Sequence, residues 1–278
     1  MNLQFIKEFT ETIRNKSAVN KRLLSKVISI IENEMPETKM LFDDIVGKLG
    51  HAYRIGLTGP PGAGKSTLVN AIAKSLASQN KKIGIIAVDP SSPYTGGAIL
   101  GDRYRMSEIG VHPDIFIRSM ATRGSTGGLV RTSSHVADVM DAAGMDYIIF
   151  ETVGVGQSEV DIVEHADTTV VVLVPESGDG VQAMKAGLME IADVFVINKS
   201  DRAQADLIKR ELETAIELRP HDDHTWLPQV IKTIATTQEG IDGVVRQIES
   251  HRRYLADEGR LEKRRKERIR QELIRLVD

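Results

Sequence analysis

The stretch Gly59-Pro60-Pro61-Gly62-Ala63-Gly64-Lys65-Ser66-Thr67 carries the spacing G-x-x-x-x-G-K-[ST], and its residue types suit the gripping of a polyphosphate. Glycine at 59, 62 and 64 lets the backbone take conformations a side chain would forbid, so N–H groups can converge on phosphate oxygens. Lys65 then reaches the β- and γ-phosphates, Ser66 offers a hydroxyl to Mg²⁺, and the following helix N-terminus adds partial positive charge. The motif has this meaning only between a strand and a helix. Residues 53–58 upstream are short, apolar and β-prone, and Leu68, Ile72 and Leu76 downstream mark one face of a helix. Binding of a nucleoside triphosphate is expected.

A second constellation lies far downstream. Asn198-Lys199-Ser200-Asp201 follows the apolar run 194–197, and an N-K-x-D tetrapeptide at a strand's carboxyl end suits guanine. Asp201 can accept from both the ring N–H and the exocyclic amine, while Asn198 braces the loop and the Lys199 stem covers the ring face. Adenine lacks that donor pair and would leave a carboxylate unpaired. Past the next strand, Ile234-Ala235-Thr236 offers a backbone N–H, that of Ala235, to the guanine carbonyl.

Between the two motifs, Glu151-Thr152-Val153-Gly154 follows the run 147–150. An acid, two residues and a glycine is the usual phosphate-sensing arrangement: the acid orders Mg²⁺ or its water, and the glycine N–H meets the γ-phosphate. Val155 stands where many small GTPases carry a water-orienting Gln, and Gln157 lies two residues further on. Slow basal hydrolysis is therefore expected, accelerated when a dimer or partner positions Lys185 or Arg105. Asp89 ends a strand run within Val88-Asp89-Pro90-Ser91-Ser92-Pro93, on the nucleotide side of the sheet. Residues 101–106 hold Asp102 and Arg105, for which a solvated loop is the competing reading. Helical spacing puts Asp179, Gln182 and Lys185 on a common side that faces either the γ-phosphate or a partner, or is an ordinary polar helix start. The seven histidines show no ligand spacing, and His221-Asp222-Asp223-His224 reads as a solvated loop.

These residues need a scaffold that brings them to one edge. Strand runs at 53–58, 82–88, 115–118, 147–150, 168–174, 194–197 and 229–233 alternate with helical segments near 129–143, 181–191 and 203–218. Such alternation predicts an α/β fold with a doubly wound, mostly parallel sheet and ligands at the strands' carboxyl ends. Residues 1–50 read as a helical N-terminal extension capping the core, residues 51–240 as the nucleotide-binding domain, and 241–278 as a C-terminal helical arm. Leu261, Arg265, Arg268, Ile269, Leu273 and Leu276 share a side of that arm, which is either solvated or packed on another subunit, its arginine stems covering apolar surface.

Composition narrows the setting. The 278 residues are 41% hydrophobic and 27% charged, as in a soluble globular protein. No stretch approaches the ~20 apolar residues of a membrane span, and the N-terminus has no presequence pattern, so a cytoplasmic location is expected. The absence of cysteine excludes disulfides and thiolate metal sites. A net charge of −3 argues against a nucleic-acid partner.

Together the motifs resemble the MeaB/ArgK group of P-loop GTPases, which includes the methylmalonic aciduria type A protein. Glu151 in place of the usual Asp marks the wider family. The strings Val88-Asp89-Pro90-Ser91-Ser92-Pro93 and Arg123-Gly124-Ser125-Thr126-Gly127-Gly128 narrow it to the group. The resemblance implies a GTP-hydrolysing chaperone of an adenosylcobalamin-dependent acyl-CoA mutase, chiefly methylmalonyl-CoA mutase, working as a homodimer through C-terminal arms. It implies that Ser66, Asp89, Asp102 and Glu151 surround Mg²⁺, and that Asp179, Gln182 and Lys185 lie in a switch loop coupling mutase binding to hydrolysis. Glu176 and Gly180-Val181 depart from the group's pattern there, and the C-terminal arm is short for the group. A nickel or other metallochaperone GTPase, a kinase serving amino-acid transport, and a nucleotide-binding module without turnover are the competing functions.

Overall fold

Thr168-Thr169-Val170-Val171-Val172-Leu173 is β-branched at five of six positions, and all six residues are buried. Stiff χ1 rotamers favour a pleated strand, and burial on both faces calls for a central place in a parallel sheet. In the computed structural model, which describes residues 2–89, 107–121, 132–152, 162–175 and 187–277, this run is β5 of a seven-stranded sheet. Its other strands are β1 (Tyr53–Thr58), β2 (Ile83–Asp89), β3 (Ile115–Ala121), β4 (Tyr147–Glu151), β6 (Val194–Ile197) and β7 (Gln229–Lys232). The spatial order is β3-β2-β4-β1-β5-β6-β7, and every strand pairing is parallel. From β1 the chain first works outward to β3, returns to β4, then steps across β1 to β5 and on to the other edge. The carboxyl end of β1 thus lies at a topological switch point, where open α/β sheets form a ligand crevice.

Helices cover both faces. On one, α4 (Lys65–Ala77) and α7 (Ile241–Ala256) bury Leu68, Ile72, Leu76, Val244 and Ile248 against Ile55, Leu57, Val170 and Val172. On the other, α1 (Asn2–Arg14), α2 (Lys21–Glu32), α3 (Thr38–Ile45) and α5 (Thr132–Ala142) share one core with Ile86, Val88, Phe116, Ile148 and Phe150. Farther along that face, α6 (Ala205–Glu217) sets Ile208, Leu212 and Ile216 on Val171, Leu173 and Phe195.

The N-terminal helices are therefore a layer of the same core. In α2 the residues Leu23, Leu24, Val27, Ile28 and Ile31 are all buried, and Asn20 caps the helix by accepting the Leu23 N–H at 2.8 Å. Arg118 on β3 reaches across to Glu32 and Ser29 of α2. The last helix of this layer, α3, stops at Ile45, and a 3₁₀ turn, Val46–Lys48, leads toward β1.

The C-terminal helix packs along its own chain, a contact the sequence does not announce. After an elbow at Asp257–Gly259, where Glu258 takes φ +54°, α8 (Arg260–Val277) turns back onto its own chain. Arg265 grips Asp167 through Nε and Nη2 (3.0 and 2.5 Å) and donates to the carbonyls of Gly50 (2.7 Å) and Ala52 (2.9 Å). Arg264 makes a two-pronged contact with Asp193 (3.2 and 3.0 Å), and Arg268 adds a longer contact to Asp167. Asp167 is fully buried just before β5 and also accepts the Arg54 N–H of β1. Asp141, at the end of α5, takes the N–H groups of Gly50, His51 and Ala52. The arm is thus fastened to the amino end of the sheet by charge-assisted bonds, with Leu261 packed against the core.

Candidate nucleotide site

The phosphate loop sits at the carboxyl end of β1, between that strand and α4. Gly59 takes φ +140°, and a Cβ there would lie 2.1 Å from the Val172 carbonyl of β5, so no larger residue could occupy the turn. Gly64 takes φ +82° as the residue before α4, and a Cβ there would lie 2.5 Å from Asn198 Nδ2. Lys65 opens α4 almost wholly buried, its Nζ donating to the carbonyls of Gly59 (2.8 Å) and Pro60 (3.1 Å). Its charge is folded across the loop whose N–H groups Gly62, Ala63 and Gly64 carry.

Ser66 Oγ donates to Glu151 Oε1 at 2.5 Å. β1, which leads into the phosphate loop and α4, neighbours β4, which ends at Glu151, with Leu57 opposite Glu151 in register. Glu151 is only 5% exposed. A hydroxyl and a buried carboxylate meeting beside the phosphate loop are hard oxygen donors, the chemistry Mg²⁺ takes. Among the described residues no group of three or more His, Cys, Asp or Glu side chains could hold a metal by itself. Asp89 closes β2 beside Ala121 of β3; its side chain, and all of Asp102, Arg105, Gly154, Val155, Gln157, Asp179, Gln182 and Lys185, lie outside the described residues, as do 90–93 and 123–128.

The base end of the site is tied together by Asn198, which is 2% exposed. Its Nδ2 donates to the Ala63 carbonyl (2.9 Å), and its Oδ1 accepts from Ala235 N–H (3.1 Å) and Thr233 Oγ1 (3.2 Å). One amide thereby fastens the phosphate loop, the loop after β6 and the loop after β7. Lys199, at φ +57°, lays its stem toward the phosphate loop and donates from Nζ to the Gly62 carbonyl at 2.8 Å. Between these loops lies a cavity of about 200 Å³, lined by Gly64, Thr67, Asn198, Lys199, Asp201, Arg202, Ile234, Ala235 and Thr236. That is below the roughly 300–1,000 Å³ of pockets that enclose a whole drug-sized ligand, a size for a ring system whose phosphates continue along the loop.

Of the candidate site residues, the structure brings 59–67, Glu151, Asn198, Lys199, Asp201 and Ala235 to the same edge of the sheet. Sequence reasoning missed Thr233 and Arg202. Thr233 is fully buried and carried no signal, because its hydroxyl matters only once β7 lies beside β6. Arg202 adjoins the N-K-x-D motif and could have been found by asking which neighbour shares the loop. His221, Asp222, Asp223 and His224 are exposed, as expected.

Comparison with known proteins accords with this geometry. Residues 24–278 match the family model described as methylmalonyl Co-A mutase-associated GTPase MeaB. The chain belongs to the MeaB family of GTPases. A Pyrococcus horikoshii protein with a GTPase name is 45% identical over 269 residues, covering 96% of this chain and 85% of its own length. The mitochondrial methylmalonic aciduria type A homolog of Mus musculus is 41% identical over 192 residues, 68% of this chain and 46% of that protein. The crystal structure of a LAO/AO transport system kinase superposes with a TM-score of 0.81 at 28% identity, covering all of this chain and 84% of the other. GTP hydrolysis is the family's activity, and the sheet with its phosphate loop is the shared fold. Among the described residues no helix is long and apolar enough to cross a membrane.

Proposed function

We propose that this GTPase is a Mg²⁺-dependent switch serving an adenosylcobalamin-dependent acyl-CoA mutase of the methylmalonyl-CoA type. In this reading it gates cofactor loading and protects the mutase in the cytoplasm. The observation that carries it is the match of residues 24–278 to a family described by its association with that mutase. The absence of cysteine weighs against delivery of a soft metal ion.

The chain's own residues divide the work. Backbone N–H groups of the loop 59–67 and the Lys65 ammonium hold the phosphates. Asp201 reads the guanine edge, and Asn198 keeps the loops in place, its Oδ1 taking the Ala235 N–H that the sequence assigns to the guanine carbonyl. Ser66 and Glu151, joined by Asp89 and Asp102, would hold Mg²⁺, which when bound neutralises charge on the β- and γ-phosphates. Arg105 and Lys185 complete the hydrolytic site only when the mutase or a second copy positions them, because Val155 cannot orient a water. A homodimer formed through 241–278, beside the nucleotide domain at 51–240 and the extension at 1–50, belongs to the same reading.

Single-turnover GTP hydrolysis by the wild type and Lys185→Ala, each with and without purified methylmalonyl-CoA mutase, tests this. A slow basal rate that the mutase raises in the wild type but not in Lys185→Ala is expected. Equal stimulation of both would remove Lys185 from the mechanism, and no stimulation of either would remove the mutase.

A further inference from the structure

The cavity at the base end has a wall that the N-K-x-D motif does not explain. Arg202 lines it together with Asn198, Lys199 and Asp201. Residues 199–202 form one turn, closed by the Arg202 N–H donating to the Lys199 carbonyl at 3.1 Å. Within that turn Lys199 is committed, its Nζ donating to the Gly62 carbonyl so that its stem lies along the phosphate-loop side of the cavity. Lys199 can cover one face of a ring and no more. Arg202 brings a different chemistry to the same space: a planar, weakly hydrated guanidinium that stacks on π-faces, which an ammonium does not do. It is exposed in the turn, at the open side of the cavity it lines.

We propose that Arg202 is a guanine-binding residue, its guanidinium lying on the purine face that the Lys199 stem leaves open. Stacking on the base is blind to the number of phosphates, so Arg202 slows release of GDP and GTP alike. Asp201 then selects guanine by its edge while Arg202 sets how long it stays. This assignment rests on the reading of 198–201 as the guanine loop.

Stopped-flow release of a fluorescent GDP and a fluorescent GTP from the wild type, Arg202→Ala, Arg202→Lys and Asp201→Asn tests it. Arg202→Ala should release both nucleotides about two- to fivefold faster, the range of an exposed cation–π contact, and Arg202→Lys should not restore the wild-type rate. Release from Arg202→Ala at the wild-type rate overturns the proposal. Full restoration by Arg202→Lys overturns it too, assigning the effect to charge alone. So does a loss confined to GTP, which would place the contact on the phosphates. Asp201→Asn separates the layers: if it holds GDP as the wild type does, the guanine-loop reading itself fails and Arg202 falls with it.

Discussion

At the scale of single residues, Asn198 carries more of the site than its place in a tetrapeptide suggests. One buried amide uses both ends, donating to Ala63 and accepting from Ala235 and Thr233. Such bonds contribute modestly when made and cost more when one partner is removed. Asp201 beside it is exposed and touches the cavity, so it can change without disturbing the fold. Asp201→Asn should weaken GTP by about 10- to 100-fold, the loss of a charged acceptor for two guanine donors. Xanthosine triphosphate, whose ring carries an oxygen in place of the amine, should gain correspondingly. Competition of the two nucleotides for the variant checks this, and unchanged preference for GTP would remove Asp201 from base reading.

At the scale of elements, the C-terminal helix is the informative one. Its inward side carries arginines where an amphipathic helix would carry leucines, and those arginines meet two carboxylates, one of them fully buried. Burial opposes the charge on Asp167, but the hydrogen bonds and charges of Arg265 and Arg268 outweigh it and hold the carboxyl below its ordinary range. A buried ion pair adds little over an apolar contact, yet removing one partner strands the other's charge. Arg265→Ala should therefore destabilise the protein by about 3 kcal/mol, with Arg265→Ala/Asp167→Asn recovering part of the loss. Urea unfolding with equal slopes for the wild type and both variants is the measurement. A loss under 1 kcal/mol, on the order of an exposed pair, would mean the arm is not anchored as described.

At the scale of the whole molecule, the two polar centres lie at opposite ends of one sheet. β1 spans six residues between the arm's anchorage at Gly50–Ala52 and the phosphate loop, roughly 20 Å at about 3.3 Å per residue. Arg265→Ala should accordingly leave GDP affinity within about twofold, since distant sites without shared partners behave additively. The anchored end also governs acid stability. His251 on α7 is buried, with Nδ1 paired to Thr168 Oγ1 at 2.8 Å and Nε2 3.4 Å from Asp193. Burial pushes its pKa down from 6.5 to about 4, against the pull of Asp193 and with help from Arg264. The unfolded chain thus binds the proton more readily, and stability held above pH 6.5 is lost as the pH falls toward 4, by up to about 3 kcal/mol. Asp167, held below its ordinary range, adds a further loss only at still lower pH. His251→Gln should flatten the pH 6.5 to 4 limb of the unfolding curve; an unchanged slope would assign the acid sensitivity elsewhere.

The alternation of strands and helices, the edge that binds nucleotide and the residues 59–67, Glu151 and 198–201 were legible in the chain by itself. Each rests on local order: a period of two or of 3.6, or a fixed spacing that only one backbone geometry satisfies. The sheet order and the tie from Asn198 to three loops were not legible, because they join residues far apart in sequence. The C-terminal helix shows why most plainly. Its charge pattern fits solvent as well as a partner, since an arginine's setting depends on where a carboxylate is. Only the fold brings Asp167 and Asp193 to the foot of the sheet and leaves those arginines half-buried against them.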